Sequence, residues 1–126
     1  MKIWIVRHPP TNASGLCIGQ HQVPLTLSIS QAGQQVIENA PFIPDRLWSS
    51  DLPRCADLAR YLAHKWKISC QFDLRLREIS MGIWEGQAYD DLQGDSQWEA
   101  WCQAWQSKRP PEGESLADLK TRVQNT

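Results

Sequence analysis

The stretch "KIWIVRHPPTN", residues 2–12, decides how the chain is read. Ile3, Trp4, Ile5 and Val6 form an unbroken run of β-branched and aromatic residues, the pattern of a strand buried on both faces of a parallel sheet. The run stops at Arg7 and His8. Pro9 and Pro10 fix φ and remove two backbone donors, and Pro9 pushes His8 toward extended geometry, so the chain leaves the sheet as a loop. Arg7 and His8 are therefore expected at the carboxyl end of a first strand, the edge of an open α/β sheet where ligands bind.

Working outward, "VPLTLSISQAGQQVIENA" reads as a turn and then a helix. Ser28 and Gln31 stand in capping-box spacing, Val36 and Ile37 lie on the apolar side, and Pro41 and Pro44 end the element. "DRLWSS", residues 45–50, is a second short strand. "SSDLPRCADLARYLAHKW" begins a helix with Ser50 or Asp51 as its cap and Pro53 in its first turn. Leu52, Cys55, Ala56, Ala59, Leu62 and Ala63 recur at three and four, giving one face for a sheet, and Arg54 stands off that stripe. "ISCQFDL", residues 68–74, is a third strand. Such alternation predicts βαβ units and a mainly parallel sheet. A further helix is expected from Tyr89 to about Trp105, with Trp98, Trp101 and Trp105 on one face as core packing or the inner surface of a lid rather than a base-stacking platform. After the break at "KRPPEGES", Ser115 and Asp118 cap a final helix that continues to the last residue, Thr126.

With 126 residues the chain is expected to form one domain, large enough to bury roughly two-thirds of its unfolded surface. The net charge of −1 leaves no polybasic face for nucleic acid or anionic lipid, so a bound anion must be held locally. No apolar stretch reaches the ~20 residues of a membrane span, and no signal peptide is evident, which makes a cytoplasmic location the expectation. Cys17, Cys55, Cys70 and Cys102 show neither metal-ligand nor disulfide spacing and read as free thiols.

Chemistry-bearing residues follow each predicted strand: Arg7 and His8 after the first, Arg54 after the second and Glu78 after the third. A parallel sheet delivers all of them to one edge. Two guanidinium groups suit the non-bridging oxygens of a phosphoryl group, an imidazole can attack phosphorus, and a carboxylic acid can protonate the departing oxygen. Metal phosphatase chemistry is disfavoured because no clustered Asp and His ligands occur. No G-x-x-x-x-G-K-[ST] run suggests a P-loop enzyme.

"IVRHPPT" resembles the R-H-G-x-T signature of the histidine phosphatase, or phosphoglycerate mutase-like, superfamily. "SSDLPRCADLA" is similar to its second-arginine motif, and "LREISMGIWEG" to its glutamate-glycine-tryptophan loop. "GLCIGQHQVPLT", "WEAWCQAWQ" and "PPEGESLADLKTRV" are most similar to the alpha-ribazole phosphatase branch, which dephosphorylates a nucleotide-like intermediate of cobalamin nucleotide-loop assembly. The resemblance implies a three-layer α/β/α fold with a mainly parallel sheet. It makes His8 the phosphorylated nucleophile and Glu78 the general acid, with Arg7, Arg54, Thr11 and Ser14 binding the substrate phosphate. It implies no metal or other cofactor and a small-molecule phosphate ester as partner, with neither nucleic acid nor membrane.

The opening also departs from the family pattern. Pro9 stands where glycine is usual, Pro10 where an acidic residue is frequent, and Ser14 where an asparagine often contacts phosphate. The family's second pocket histidine, in a late S-H-G-like motif, has no counterpart, since the other histidines are His21 and His64. The expectation is an N-terminal portion, residues 1–126, of a histidine phosphatase domain truncated at its C-terminus. Alternatives are a histidine phosphatase for another small ester, such as a sugar phosphate, and a catalytically impaired, noncatalytic fragment.

Overall fold

Between Ile29 and Phe72 the chain alternates helix and strand, as the period changes of the sequence predict. A computed structural model describes residues 1–125. They fall into two units, one of residues 1–12 and 24–74, the other of residues 13–23 and 75 onward.

In the first unit, α1 spans Ile29–Asn39, β1 Leu47–Ser49, α2 Pro53–Trp66 and β2 Cys70–Phe72. Helix α1 begins with the expected capping box: the Gln31 amide donates to Ser28 Oγ, and the Ser28 amide donates to the Gln31 side chain. Two of the helix's orphan donors are satisfied in this way. Helix α2 is capped one residue later than Asp51 and two later than Ser50, the predicted caps. Its N-cap is Leu52, not Ser50 or Asp51. Pro53 at the first helical position explains the shift, because its fixed φ suits a first turn and its missing N–H leaves one donor fewer to cap. The Leu52 carbonyl accepts from the amides of Cys55 and Ala56 at 2.9 and 2.8 Å.

The two helices share a core of Ala32, Leu58 and Leu62, surrounded by Val36, Ile37, Leu47, Tyr61 and Trp66. Burying each such leucine contributes about 1.5–3 kcal/mol. Strands β1 and β2 pair in parallel, with Leu47 opposite Cys70 and Ser49 opposite Phe72. The βαβ unit and the α/β class are as expected.

The predicted first strand does not form. Residues 3–6 are extended in sequence character but join no ladder. Ile3 and Ile5 are 73% and 88% exposed. A cleft of about 850 Å³ is lined by Ile3, Trp4 and Val6 on the one hand and by Leu47, Trp48 and Leu62 on the other. Strand pairing requires backbones ~4.8 Å apart, and the cleft stands between this segment and β1.

In the second unit the core is Cys17, Met81, Trp84 and Leu92, with Ile79, Trp98 and Trp101 packed around it. Trp98 meets Trp84 edge-on at 5.0 Å between centroids and stacks on Trp101 at 5.5 Å. The tryptophan stripe is thus core packing for two of its three members. The single helix expected over Tyr89–Trp105 is two helices, α3 Tyr89–Leu92 and α4 Ser96–Gln103. Gly94, at φ +89°, turns the chain between them, and the Asp95 side chain accepts from the amides of Gln97 and Trp98 to cap α4. Trp105 consequently lies beyond the helix and is exposed.

Helix α5, Leu116–Gln124, carries the predicted Ser115–Asp118 capping box. It ends at Gln124 with Asn125 at its cap, short of the expected run, and Thr126 lies outside the described residues. All four cysteines are free thiols. Among the described residues no helix is long and apolar enough to cross a membrane.

Candidate active site

His8 is half-buried between exposed Arg7 and buried Pro9. Its Nδ1 lies 2.7 Å from the Pro9 carbonyl oxygen. A carbonyl can only accept, so this bond requires the proton on Nδ1 and leaves Nε2 of the neutral ring with its lone pair. That is the tautomer a nucleophilic imidazole needs. Pro9 lacks an N–H but keeps the backbone carbonyl that accepts here. Arg7 and His8 both line a cavity of about 270 Å³ whose other wall includes Gln35 and Asn39 of α1.

The loop after His8 is pinned in antiparallel fashion to residues 24–26. The Thr26 amide donates to the Pro10 carbonyl and the Asn12 amide to the Pro24 carbonyl, at 2.9 and 2.8 Å. Thr11, half-buried, forms a bridge with Leu25 between these two bonds.

Arg54 stands in the first turn of α2 and is only 5% exposed. The sequence put it off the apolar stripe, and it is nonetheless buried. A cation at a helix N-terminus sits at the unfavourable end of the macrodipole, and a buried guanidinium is stabilised by anions, so this placement suits an anion-binding arginine. Ser50, one of the residues expected to cap α2, is buried there too. Its hydroxyl has no hydrogen-bond partner among the described residues.

Arg7, His8, Thr11 and Arg54 thus belong to the first unit, while Ser14 and Glu78 belong to the second. Ser14 is exposed in the turn closed by the Leu16 amide and the Ala13 carbonyl. Glu78 is exposed, and its Oε1 accepts from the following amide, that of Ile79, at 2.9 Å. The Glu78 carbonyl accepts from Gln20 Nε2 at 3.0 Å.

Sequence reasoning missed Glu85. Its Oε1 accepts from the amides of Gln20 and Met81 at 2.8 and 3.0 Å, joining the loop after Gly19 to the segment that follows Glu78. His64 is exposed on α2. Among the described residues no group of three or more His, Cys, Asp or Glu side chains could hold a metal ion.

The profile of the Histidine phosphatase superfamily (branch 1) matches residues 3–126. The chain belongs to this superfamily. Within it, the chain is 33% identical over 131 aligned positions to the adenosylcobalamin/alpha-ribazole phosphatase of Salmonella typhimurium, covering 98% of this chain and 64% of that protein. It is 34% identical to a protein of Enterobacter sp. named "Probable phosphoglycerate mutase GpmB", covering 98% of this chain and 60% of the relative. The crystal structure of the alpha-ribazole phosphatase from Shigella flexneri superposes with a TM-score of 0.81 at 29% identity, over 95% of this chain and 62% of that one. The chain therefore spans under two-thirds of the length of these superfamily members.

Proposed function

We propose that the chain is the N-terminal portion of one histidine phosphatase domain and that it serves a phosphomonoesterase working through a phosphohistidine. In this reading Arg7 and Arg54, with Thr11 and Ser14, hold the phosphoryl oxygens. His8 Nε2 attacks phosphorus in line, a P–N bond forms, and the P–O bond to the alcohol breaks. Glu78 gives its proton to the departing oxygen and then takes one from the water that hydrolyses the phosphohistidine, releasing inorganic phosphate. Neither step calls for a cofactor.

The observation that carries the reading is the bond from His8 Nδ1–H to the Pro9 carbonyl, which presents Nε2 as the nucleophile. Buried Arg54 at the start of α2 adds a cation whose burial favours a bound anion.

The favoured substrate is alpha-ribazole 5'-phosphate in a cytoplasmic setting, supported by the likeness to the Salmonella and Shigella phosphatases. The second reading, another small phosphate ester such as a sugar phosphate, is favoured by the likeness to the Enterobacter protein, which is named as a mutase. A panel of such esters separates the two.

The mechanism is tested by incubating the protein with a ³²P-labelled ester and quenching in alkali. Acid-labile, alkali-stable label is expected on the protein and is expected to vanish in His8→Ala. Label that persists in the variant, or that survives acid, overturns the assignment.

A further inference from the structure

Arg122, on α5, uses all the donors a guanidinium has. Nε donates to Glu114 Oε1 at 2.8 Å and Nη2 to Glu114 Oε2 at 2.9 Å, a two-pronged pair with side chains 18% and 22% exposed. Nη1 donates to the carbonyls of Arg75 and Arg77 at 2.7 and 3.0 Å, and Nη2 also to that of Glu78 at 3.3 Å. One hydrogen on Nε and two on each terminal nitrogen are thereby engaged. Glu114 extends the arrangement beyond Glu78. Its Oε2 accepts from the Ser80 amide at 2.8 Å, and its own amide donates to the Ser80 carbonyl at 2.9 Å. The backbone from residue 75 to residue 80 is thus held on both sides of Glu78 by two side chains that hold each other. Arg75 in turn donates to the Asn125 carbonyl at the end of α5.

Outside this clamp the Glu78 carbonyl also accepts from Gln20 Nε2 at 3.0 Å, a bond from a neutral amide. After a short 3-10 turn at Leu74–Leu76, residues 77–80 form neither helix nor strand, and the Glu78 side chain is exposed. A loop without ladder bonds keeps its shape through side-chain bonds to its carbonyls and amides, and bonds to charged groups are the strong ones. A lysine could not replace the guanidinium. It has three donors at a single point, whereas the five here diverge in a plane to reach three carbonyls and one carboxylate.

We propose that Arg122, fixed by Glu114, is a positioning residue for proton delivery by Glu78. This rests on the reading of Glu78 as the general acid. Through the carbonyls on either side, the pair sets where the carboxyl group points while taking no part in holding phosphate. Misplacement of a catalytic group by about 1 Å can cost on the order of 10²-fold. Loss of the clamp is therefore felt by poor leaving groups, which need a proton, and little by good ones.

The test compares phosphorylation rates from an alkyl phosphate and from p-nitrophenyl phosphate in the parent protein, Glu78→Gln, Arg122→Ala, Arg122→Lys, Glu114→Gln and the Glu78→Gln/Arg122→Ala double variant. Inorganic phosphate affinity and amide hydrogen exchange at Ile79 and Ser80 are followed in each. Arg122→Ala is expected to slow the alkyl ester roughly 10- to 100-fold while leaving p-nitrophenyl phosphate and phosphate affinity within about 2- to 3-fold. Arg122→Lys should not restore the alkyl rate, millimolar guanidinium added to Arg122→Ala should, and the double variant should be no slower than Glu78→Gln. If Arg122→Ala does not fold, Glu114→Gln, which keeps the arginine, is expected to give the same selective loss with faster exchange at Ser80. Equal losses on both esters in the Arg122 and Glu114 variants, or additive losses in the double variant, overturn the proposal. Equal losses on both esters in Glu78→Gln overturn instead the reading of Glu78 on which it rests.

Discussion

The ring of Tyr61 lies against Gly33 so closely that a Cβ built on Gly33 would stand 2.1 Å from Tyr61 Cδ1. Gly33 is buried in α1, where glycine is otherwise an unfavourable choice relative to alanine by roughly 0.5–1 kcal/mol. The close approach of α2 is what its missing side chain permits. Gly33→Ala is expected to destabilise the protein by about 1–3 kcal/mol despite its better helix propensity, because the ring must move. Tyr61→Ala should relieve much of that cost when combined with it. Urea unfolding of the two single variants and the double variant checks this, and additive losses would show that the contact is not the cause.

Glu114 carries a second prediction. Its carboxyl is held below the usual range chiefly by the hydrogen bond from Arg122, with the Ser80 amide acting in the same direction and burial opposing. Asp118 is lowered as well, first by the Ser115 amide. A carboxyl whose folded value lies below its unfolded one binds fewer protons in the native state. The stability it contributes is therefore present above the unfolded value, near pH 4.5 for Glu114, and is lost as pH falls through the lower folded value. Unfolding midpoints measured from pH 6 down to pH 2 should fall more steeply for the parent protein than for Glu114→Gln. Parallel curves would mean that the Arg122 pair adds nothing to folding.

How much of this was legible in the sequence follows from the range of each interaction. The capping boxes at Ser28–Gln31 and Ser115–Asp118 were readable because both partners lie three residues apart. The parallel pairing of β1 and β2 was readable because a helix of α2's length between two short apolar runs leaves few alternatives. The strand at residues 3–6 misled because an apolar run reports what would suit a buried ladder and not whether a partner is at hand. The break at Gly94 was missed because tryptophans at helical spacing outweighed one glycine and an Asp cap. The residues of the proposed site, Arg7, His8, Arg54 and Glu78, were picked out by their chemistry and their places after predicted strands. Arg122 did not, since its partners at residues 75–78 lie more than forty positions away and are carbonyls, which carry no residue-type signal.

The thiols should differ sharply in reactivity. Burial, and after it the Glu85 carboxylate, pushes the Cys17 thiol up to about 11, and its side chain lies in the core with Trp84 and Leu92. The thiolate is the reacting species, so Cys17 should be inert at pH 8 until the second unit opens, whereas Cys102 is exposed on α4. Iodoacetamide labelling followed by mass mapping should mark Cys102 first and Cys17 last. Labelling of Cys17 at the rate of Cys102 in the native protein would contradict the buried placement. Glu85→Gln should leave that order unchanged, because burial is the larger cause.

The cleft beside β1 makes the final prediction. Its walls are mostly apolar, the lining residues Ile3 and Trp48 are 73% and 49% exposed, and one edge of β1 carries no strand partner among the described residues. An open strand edge next to an exposed apolar surface is a template for another chain, and apolar patches of a few hundred Å² rarely stay bare in solution. The 126-residue chain by itself is therefore expected to bind anilinonaphthalene sulfonate and to self-associate with rising concentration. Ile3→Lys and Trp48→Lys each place a charge on the cleft wall and should reduce both the dye signal and the self-association, with helix content unchanged. Sedimentation velocity over a hundredfold concentration range, with dye fluorescence measured on the same samples, decides the matter. A parent chain that stays monomeric and dark throughout would mean that the N-terminal segment closes over β1 in solution, and the strand expected at residues 3–6 would then find its pairing within the chain itself.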